Sequence, residues 1–270
     1  MTGSEAHTGV LRPAATSASP LRFCVVVPMY NEAANAERCV RAICPVLAGV
    51  PHESALVVVD DGSSDGTGAI LARLAPEFPR LRVLTHERNA GYGAALRTGI
   101  AHAADAGFTY ALFMDSDLTN DPRHIPRFVT KMEERVDVIK ASRYMPGGEI
   151  VGVPRHRVVI SKVGNALARR LYRLPITDCT NGFRAVRVDV LRRMPLQEPG
   201  FSIIMEELYY ASLLTRSFAQ VPVTLTDRLP DARPTSFRYR PAVFYRYLKY
   251  PLRRFLGLAP RAPQASGATP

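Results

Sequence analysis

The stretch ALVVVDDGSSDGT, residues 55–67, indicates how this chain folds. A run of apolar, mostly β-branched residues is typical of a buried strand, and the Asp, Gly and Ser residues after it are typical of a turn. Ser64 or Asp65 can then cap a helix. A capping turn explains those residues, but not the two consecutive carboxylates of Asp60 and Asp61 at the strand end. The stretch therefore predicts a strand, a polar loop and a helix, which is the repeating unit of parallel sheets.

The same unit recurs along the chain. Apolar runs precede segments of helical period in FCVVVP and AANAERCVRAI, in LRVLTH and GYGAALRTGIAHAA, and in YALFMD and RHIPRFVTKMEE. VDVIKASRY predicts a further strand, and HRVVISKVGNALARRLY and GFSIIMEELYYASLL predict two more helices. This order predicts an α/β protein in which a mostly parallel central sheet is flanked by helices.

Composition indicates an ordinary globular protein. The 270 residues are 47% hydrophobic and 22% charged, and no run approaches the roughly 18 to 20 apolar residues of a membrane-spanning helix. The first 20 residues lack the apolar core of a secretory signal, so we expect a cytoplasmic protein. Residues 1–20 and 259–270, rich in Ala, Ser, Thr and Pro, are predicted to be disordered. The four cysteines match no zinc pattern, which favours buried, reduced thiols.

Positive charge is concentrated at the end of the chain. From Thr226 onward there are nine Arg or Lys residues and two Asp residues, a net +7 out of +11 for the whole chain. An excess of this kind predicts an anionic partner, for which phosphate groups, a membrane surface and nucleic acid are the candidates.

Polar residues follow each of the first four predicted strands. Ligands bind at the carboxyl ends of parallel strands, because loops and helix N-termini meet there. The first strand leads into Pro28, Tyr30 and Glu32, the second into DDGSSDGT, the third into ERNAGYG and the fourth into DSD. Four such loops together predict a binding site. The glycines of GYGAALRTG are equally consistent with close helix packing, because the motif lacks the full G-x-G-x-x-G spacing.

Asp115 and Asp117 are candidate metal ligands. Alternate residues of an extended strand share a face, so two carboxylates at a strand end can bracket one cation. Hard oxygen ligands favour Mg²⁺ or Mn²⁺, ions that proteins often share with a diphosphate. An isolated D-x-D can also be a simple turn, but its position after the fourth strand favours the metal. At the second strand end, Asp61 could accept hydrogen bonds from a nucleobase or ribose.

The motifs together resemble a known family. VVVPMYNE, VVVDDGSSDGT, RNAGYGAALRTG, FMDSDL, ASRY, RVVISK, TNGFRAVR and FSIIMEE occur in the order seen in family 2 glycosyltransferases of GT-A fold. The resemblance is greatest to polyprenyl-phosphate glycosyltransferases of the dolichyl-phosphate mannose synthase type. It runs from about Phe23 to Arg228 and implies a single Rossmann-like GT-A catalytic domain over residues 21–228.

The resemblance also implies the site residues. Asp115, Asp117 and Arg143 would be catalytic, with Asp115 and Asp117 holding the metal. The nucleotide-sugar would bind at Pro28, Tyr30, Glu32, Val59, Asp61, Asp115, Ser116 and Asp117, and the acceptor phosphate at Arg143, Arg157, Ser161 and Arg228. An arginine fork suits phosphate oxygens, although a surface arginine is commonly just solvated.

The implied reaction is metal-dependent, inverting transfer of mannose from GDP-mannose to a polyprenyl monophosphate. Such an acceptor is already anionic and needs no general base. A UDP-sugar donor and a soluble hydroxyl acceptor are the alternatives, and a hydroxyl would require a base such as Glu206 or Glu207. A non-enzymatic nucleotide- or nucleic-acid-binding protein is a third hypothesis. The carboxylate pair argues against it, so we expect no nucleic acid partner.

The sequence departs from the family in three respects. Thr119 occupies a position where relatives can carry another metal or diphosphate ligand. The segment LPDARPTSFRYR after Arg228 is longer than usual, with Ser236 and Arg238 as possible replacements for its phosphate-binding residues. The sequence after Arg228 predicts no membrane-spanning tail.

The segment 229–258 predicts a basic amphipathic helix on a membrane surface. Apolar residues lie on one helical face, basic residues lie on the other, and Pro251 would kink the helix. This pattern, with the lipid acceptor, predicts an enzyme peripheral to the inner face of the cell membrane, with a membrane partner subunit as a possible addition. The alternative is that the apolar face docks on the catalytic domain. The apolar residues are Phe244, Leu248, Leu252 and Phe255, and the basic ones are Arg246, Lys249 and Arg253.

Overall fold

The computed structural model describes residues 20–226 and 241–258. The strands are β1 (Arg22–Met29), β2 (Glu53–Asp60), β3 (Leu81–Thr85), β4 (Tyr110–Phe113), β5 (Val138–Ser142), β6 (Glu149–Val151), β7 (Arg184–Arg187), β8 (Phe218–Pro222) and β9 (Thr224–Thr226). The helices are α1 (Ala33–Ala48), α2 (Thr67–Leu74), α3 (Tyr92–Asp105), α4 (Ile125–Glu133, after a 3₁₀ turn at Pro122–His124), α5 (Arg155–Tyr172), α6 (Val188–Leu191), α7 (Ile203–Leu214) and α8 (Pro241–Phe255).

Seven strands form the central sheet in the order β3-β2-β1-β4-β7-β5-β8. Each neighbouring pair is parallel except those that involve β7, which runs antiparallel to both β4 and β5. β6 and β9 form a separate two-stranded parallel sheet. The predicted α/β class and mostly parallel sheet are confirmed, and the reversed β7 is a strand that the sequence patterns did not predict.

The sheet is buried on both faces. Because successive side chains of a strand point to opposite sides, Val26 and Val57 face the layer of α3 and α7, while Val25 and Val58 face α1 and α4. All four valines are fully buried, which explains the continuous apolar runs. The four cysteines are buried and free, as predicted.

Some predictions fall outside the described residues. They concern the tails 1–19 and 259–270, the residue Arg228, and the replacements Ser236 and Arg238. Within residues 20–226 and 241–258, no helix combines the length and the apolar character that crossing a bilayer requires.

Candidate active site

The loops after β1 and β2 are tied together by side-chain hydrogen bonds. Asn31 donates its backbone N–H to Ser63 Oγ at 2.9 Å, and Ser64 donates its own to Asn31 Oδ1 at 2.8 Å. One residue later, the Glu32 amide donates to Thr67 Oγ1 at 2.9 Å. The predicted cap by Ser64 or Asp65 is wrong, because the N-cap residue of α2 is Gly66, with no side-chain cap hydrogen bond. The DGSSDGT motif instead fixes the YNE segment where the first strand ends.

Asp61 connects the β2 loop to the loop after β3. Its carboxylate accepts hydrogen bonds from the amides of Ala90 and Gly91 at 2.9 and 2.8 Å, and lies 2.6 Å from His86 Nδ1. Only 3% of the residue is exposed. In this structure the carboxylate thus holds the start of α3 beside the site, a role that the sequence patterns did not predict.

The remaining nucleotide-pocket residues lie at different depths. Pro28, the second-last residue of β1, is half-buried, and Tyr30 is 36% exposed at the rim. Ser116 is 6% exposed next to the carboxylate pair, whereas the Val59 side chain is fully buried within β2. Val59 therefore packs beneath the loops, and its side chain does not reach the surface of the site.

Asp115 and Asp117 lie directly after β4, where neighbours orient both carboxylates. Tyr92 donates its hydroxyl to Asp115 Oδ1 at 3.2 Å. Thr119 donates its amide and hydroxyl to Asp117 Oδ1 at 3.1 and 2.9 Å. A Cβ on Gly182 would lie 3.1 Å from Asp115 Oδ2, so the absence of a side chain there keeps space beside that oxygen.

These two carboxylates suit a divalent cation. They supply hard oxygen donors in a half-buried position, the ligand chemistry of Mg²⁺ and Mn²⁺. Among the described residues, no cluster of three or more His, Cys, Asp or Glu side chains could hold a metal ion by itself. A cation here would therefore take its other ligands from water and from the phosphates of a substrate, as Mg²⁺ commonly does.

Arg143 follows β5 and is held by Asp178. Its Nε and Nη2 lie 2.6 and 2.8 Å from the two carboxylate oxygens, and Nη2 also lies 3.1 Å from Thr180 Oγ1. Burial alone would raise the pKa of Asp178, but the charge and hydrogen bonds of Arg143 outweigh burial and lower that pKa. Asp178 therefore stays ionised at neutral pH and fixes the plane of the guanidinium.

The other predicted phosphate-binding residues lie on α5. Arg157 is exposed in its first turn, and Ser161 Oγ accepts a hydrogen bond from Tyr144 Oη at 2.7 Å. The Arg143 guanidinium stacks over the Tyr144 ring at 5.1 Å, which links Ser161 to the arginine. Arg143 also lines a cavity of about 570 Å³. The charged residues around this cavity are Arg143, Lys162, Arg169 and Glu149.

A long apolar groove of about 650 Å³ lies between α5 and α8. We call it the α5–α8 groove. Its few polar groups include Ser161 and Thr180, and Thr180 is the residue that contacts Arg143. Its apolar lining includes Val159, Ile160, Val163, Leu167, Ala168, Met205, Val243, Phe244, Tyr247 and Leu248.

Helix α8 packs on the domain with a face that differs from the predicted apolar stripe. Tyr250 is buried at 6% exposure against α7, and Arg254 Nε donates to Ser212 Oγ at 3.0 Å. Three of the four residues of the predicted stripe stay exposed, Phe244 at 40%, Leu252 at 41% and Phe255 at 50%, while Leu248 is half-buried. The helix also continues through Pro251. The helix therefore docks on the domain through Tyr250 and Arg254, which lie outside the predicted apolar stripe.

Glu206 and Glu207, the candidate bases for a hydroxyl acceptor, have internal partners. Both oxygens of Glu207 lie 2.6 Å from the guanidinium of Arg184, and both residues are fully buried. Glu206 Oε2 accepts hydrogen bonds from the amides of Gln197 and Glu198 at 2.9 and 2.8 Å. These contacts agree with structural roles within α7.

Comparison with known proteins places the chain in a family. Residues 24–194 match the family described as Glycosyl transferase family 2. The chain belongs to this family. The glycosyltransferase is 32% identical over 249 residues to the polyprenol monophosphomannose synthase of Mycolicibacterium smegmatis, covering 89% of this chain and 91% of that one. It is also 31% identical to the undecaprenyl-phosphate mannosyltransferase of Micrococcus luteus, covering 77% and 85%.

Solved structures confirm the GT-A fold of the glycosyltransferase. It resembles the crystal structure of glucosyl-3-phosphoglycerate synthase from Mycobacterium tuberculosis, in complex with Mn²⁺, UDP and glucosyl-3-phosphoglycerate, with a TM-score of 0.63. The two are 22% identical, and the match covers 91% of this chain and 86% of that one. A structure of the same synthase with Mg²⁺ and UDP matches with a TM-score of 0.62 and 21% identity, covering 87% and 79%.

Sequence reasoning missed several residues that shape the glycosyltransferase site. Tyr92 was visible inside the GYG motif, but only as part of a glycine pattern. Asp178 and Gly182 belong to a Thr-, Asn- and Gly-rich turn that has no helical or strand period. Asp178 orients Arg143, and Gly182 leaves space beside Asp115. In both cases the two residues are distant in sequence, so no local pattern indicates the contact.

Proposed function

We propose that this glycosyltransferase transfers mannose from GDP-mannose to the phosphate of a polyprenyl monophosphate, with inversion at the sugar carbon. The α5–α8 groove is the observation that carries the proposal, because its lining is mostly apolar and includes Thr180, whose hydroxyl contacts the Arg143 guanidinium. The names of the similar proteins from Mycolicibacterium smegmatis and Micrococcus luteus support the same class of acceptor and the same sugar.

The groove suits an isoprenoid chain. Burial of apolar surface stabilises a bound lipid by about 0.8 kcal/mol per CH₂ group. At the polar end of the groove, Thr180 contacts Arg143 and lies two residues from Gly182. Gly182 adjoins Asp115, and two residues span at most about 7 Å. A lipid phosphate beside Thr180 would therefore lie between the Arg143 guanidinium and the carboxylate pair.

The donor would bind where the first four strands end. We assign the nucleotide to the loops that contain Pro28, Tyr30, Glu32 and Asp61, above the buried Val59. Hydrogen bonds among these loops hold them in place before substrate arrives, which reduces the cost of ordering the site on binding. The diphosphate would lie at Asp115, Ser116 and Asp117.

Asp115 and Asp117 would hold Mg²⁺ or Mn²⁺, which would stabilise the leaving diphosphate as a Lewis acid. The chain itself supplies orientation and positive charge. Arg143, held in one plane by Asp178, would bring the acceptor phosphate close to the donor despite their like charges. Arg157, Ser161 and Arg228 would add to this acceptor site. A phosphate acceptor is already anionic, so the internal roles of Glu206 and Glu207 are consistent with this chemistry.

We propose that the enzyme docks on an anionic membrane surface at the inner face of the cell membrane. Apolar side chains of α5 and α8 are exposed on both sides of the groove, including Val163 at 64% and Phe255 at 50%. Basic residues such as Arg157 and Arg246 are exposed on the same helices. Apolar side chains flanked by basic ones are typical of helices that lie at a lipid interface.

A transfer assay tests the reaction. Labelled GDP-mannose and UDP-glucose would each be offered with a short polyprenyl phosphate or a panel of hydroxyl acceptors, with Mg²⁺, Mn²⁺ or EDTA. We expect label to move from GDP-mannose to the polyprenyl phosphate only with metal. Asp117→Ala should abolish transfer, while Asp105→Ala, an exposed carboxylate at the end of α3, should not. Full activity of Asp117→Ala would disprove the metal assignment, and transfer only to hydroxyls would disprove the acceptor.

A further inference from the structure

Helix α8 is fastened to the loop before α7 by two side chains. Lys249 Nζ lies 2.7 Å from Glu198 Oε1, and Tyr250 Oη lies 2.9 Å from the same oxygen. Ser202 donates its hydroxyl to the other Glu198 oxygen at 2.6 Å. Burial alone would raise the pKa of Glu198, but the hydrogen bonds from Lys249, Ser202 and Tyr250 outweigh it and lower that pKa. Glu198 is thus an ionised anchor for α8.

Tyr250 also reaches a second carboxylate from the same position. Its Oη lies 3.0 Å from Glu206 Oε1, while Glu206 Oε2 accepts the amides of Gln197 and Glu198. A phenol has a single proton, so Tyr250 can donate to only one of the two carboxyl groups. Burial raises the pKa of Glu206, while hydrogen bonds from the amides of Glu198 and Gln197 and from the Tyr250 hydroxyl oppose the rise. Removal of this hydroxyl would leave two carboxyl groups facing each other.

The residues 197–201, which we call the 197–201 segment, press against the start of α3. Gly93 donates its amide to Pro199 O at 2.8 Å, and Arg97 Nη1 donates to Glu198 O at 3.1 Å. A Cβ on Gly93 would lie only 1.9 Å from Glu198 O. Because the backbones are this close, the start of α3 must follow any displacement of the segment.

The first residue of α3 reaches the catalytic carboxylate. The Tyr92 ring lies 4.4 Å, centroid to centroid, from the ring of Phe201 at the end of the segment. The Tyr92 hydroxyl donates to Asp115 Oδ1.

We propose that α8 is a positioning element of the catalytic centre. Lys249 and Tyr250 hold the 197–201 segment in place. The segment in turn holds Tyr92 against Asp115. The helix that carries the exposed apolar stripe therefore also sets the geometry of the donor site.

Tyr250→Phe tests the physical contact without any substrate. Hydrogen exchange of the full chain, free of ligands, would be followed at the amides of Gly93, Gln197 and Glu198. We expect exchange at least several times faster in Tyr250→Phe than in the wild type. Tyr245→Phe is the matched control, because it makes the same chemical change on the 69% exposed side of α8. Equal exchange in the two variants would overturn the proposal whatever the enzyme transfers.

The second readout rests on the proposed function and uses GDP-mannose with a short polyprenyl phosphate in detergent. We expect kcat of Tyr250→Phe to fall about tenfold while the acceptor KM changes less than about twofold, because a misplaced catalytic group slows the reaction more than it weakens binding. Faster exchange with an unchanged kcat would overturn the coupling to Asp115. If the wild type transferred nothing to this acceptor, the proposed function would fail, and the exchange result would still decide whether α8 holds the segment.

Two substitutions of Glu198 distinguish a positioning role of this side chain from a general effect on protein stability. Glu198→Gln keeps an oxygen that can accept from Tyr250 and Lys249, whereas Glu198→Ala removes it. We expect Glu198→Gln to retain several times more kcat than Glu198→Ala. Loss of the same factor in both variants would contradict a positioning role for this side chain.

Discussion

At the scale of single residues, close packing beside the site leaves no space for a side chain at Gly93. Gly93 belongs to GYGAALRTG, whose glycines the sequence allowed to serve close helix packing. The structure supports that interpretation for Gly93. Its position at the start of α3 leaves no room for a methyl group beside Glu198 O. The constraint is tertiary, because the obstructing carbonyl lies about a hundred residues further along the chain.

We predict that Gly93→Ala destabilises the enzyme by about 1–3 kcal/mol, because the new methyl group overpacks a rigid backbone contact. Urea unfolding monitored by circular dichroism would measure this. Gly164→Ala is the control, since a Cβ there meets nothing within 4 Å in the middle of α5. That variant should gain up to about 1 kcal/mol from helix propensity. Equal effects of both substitutions would contradict the packing argument.

Lys140 is a buried lysine whose pKa is affected by Arg184. It is fully buried in β5 and donates to Asn181 O at 2.6 Å. Burial lowers its pKa to about 8 from 10.5, the charge of Arg184 adds to this, and Asp178 and Glu207 oppose it. Between these two pH values the unfolded chain keeps a proton that the folded chain releases.

We therefore predict that wild-type stability, relative to Lys140→Met, rises as the pH increases from about 8 to 10.5. The unfolded state binds more protons in this window, so raising the pH favours the folded state. The gain should reach a few kcal/mol, at about 1.4 kcal/mol per pKa unit. Urea denaturation of both proteins at several pH values would measure it, and a difference independent of pH would contradict the assignment.

At the scale of elements, α8 has two faces in different surroundings. The face with Tyr250 is buried on α7, and the face with Leu252 and Phe255 remains exposed. A sequence pattern could identify an amphipathic helix, but not how much of its surface the domain would cover. The buried face is fixed by Glu198 and Ser212, and neither residue is near α8 in the sequence.

We predict that Leu252→Glu with Phe255→Glu weakens binding to anionic vesicles by at least about tenfold, because each apolar side chain contributes about 2 kcal/mol when buried in lipid. Vesicle flotation would measure binding. Ala48→Glu with Ala101→Glu adds the same charge at exposed positions of α1 and α3 and should float like the wild type. Equal flotation of both double variants, or no flotation of the wild type, would refute a membrane role for this face.

At the scale of the whole molecule, the loops that carry the candidate site residues meet at one edge of the sheet. The first four strands end at this edge in parallel, and hydrogen bonds connect their loops in sequence from Asn31 to Asp115. A ligand that binds this edge contacts several elements at once. Binding of donor should therefore stabilise the whole domain.

We predict that GDP-mannose with Mg²⁺ or Mn²⁺ raises the Tm by roughly 5–10 °C at a hundredfold excess over Kd, from about 2.7 kcal/mol of linkage and 2–4 °C per kcal/mol. UDP-glucose is expected to give a smaller shift. Thermal unfolding with each nucleotide-sugar and metal would measure both. A larger shift with UDP-glucose would reassign the donor, and shifts that do not depend on metal would contradict the role of Asp115 and Asp117.

Local sequence patterns were enough to predict the fold class, the main parallel strands and the position of the carboxylate pair. Apolar period and strand-end polarity are local properties, and ALVVVDDGSSDGT displays both. Three features became visible only in the folded chain. β7 runs antiparallel, Asp178 orients Arg143, and α8 contacts the 197–201 segment with one face while the other stays exposed. These features depend on contacts between residues far apart in the chain, and a local pattern contains no information about which distant surface a side chain will meet.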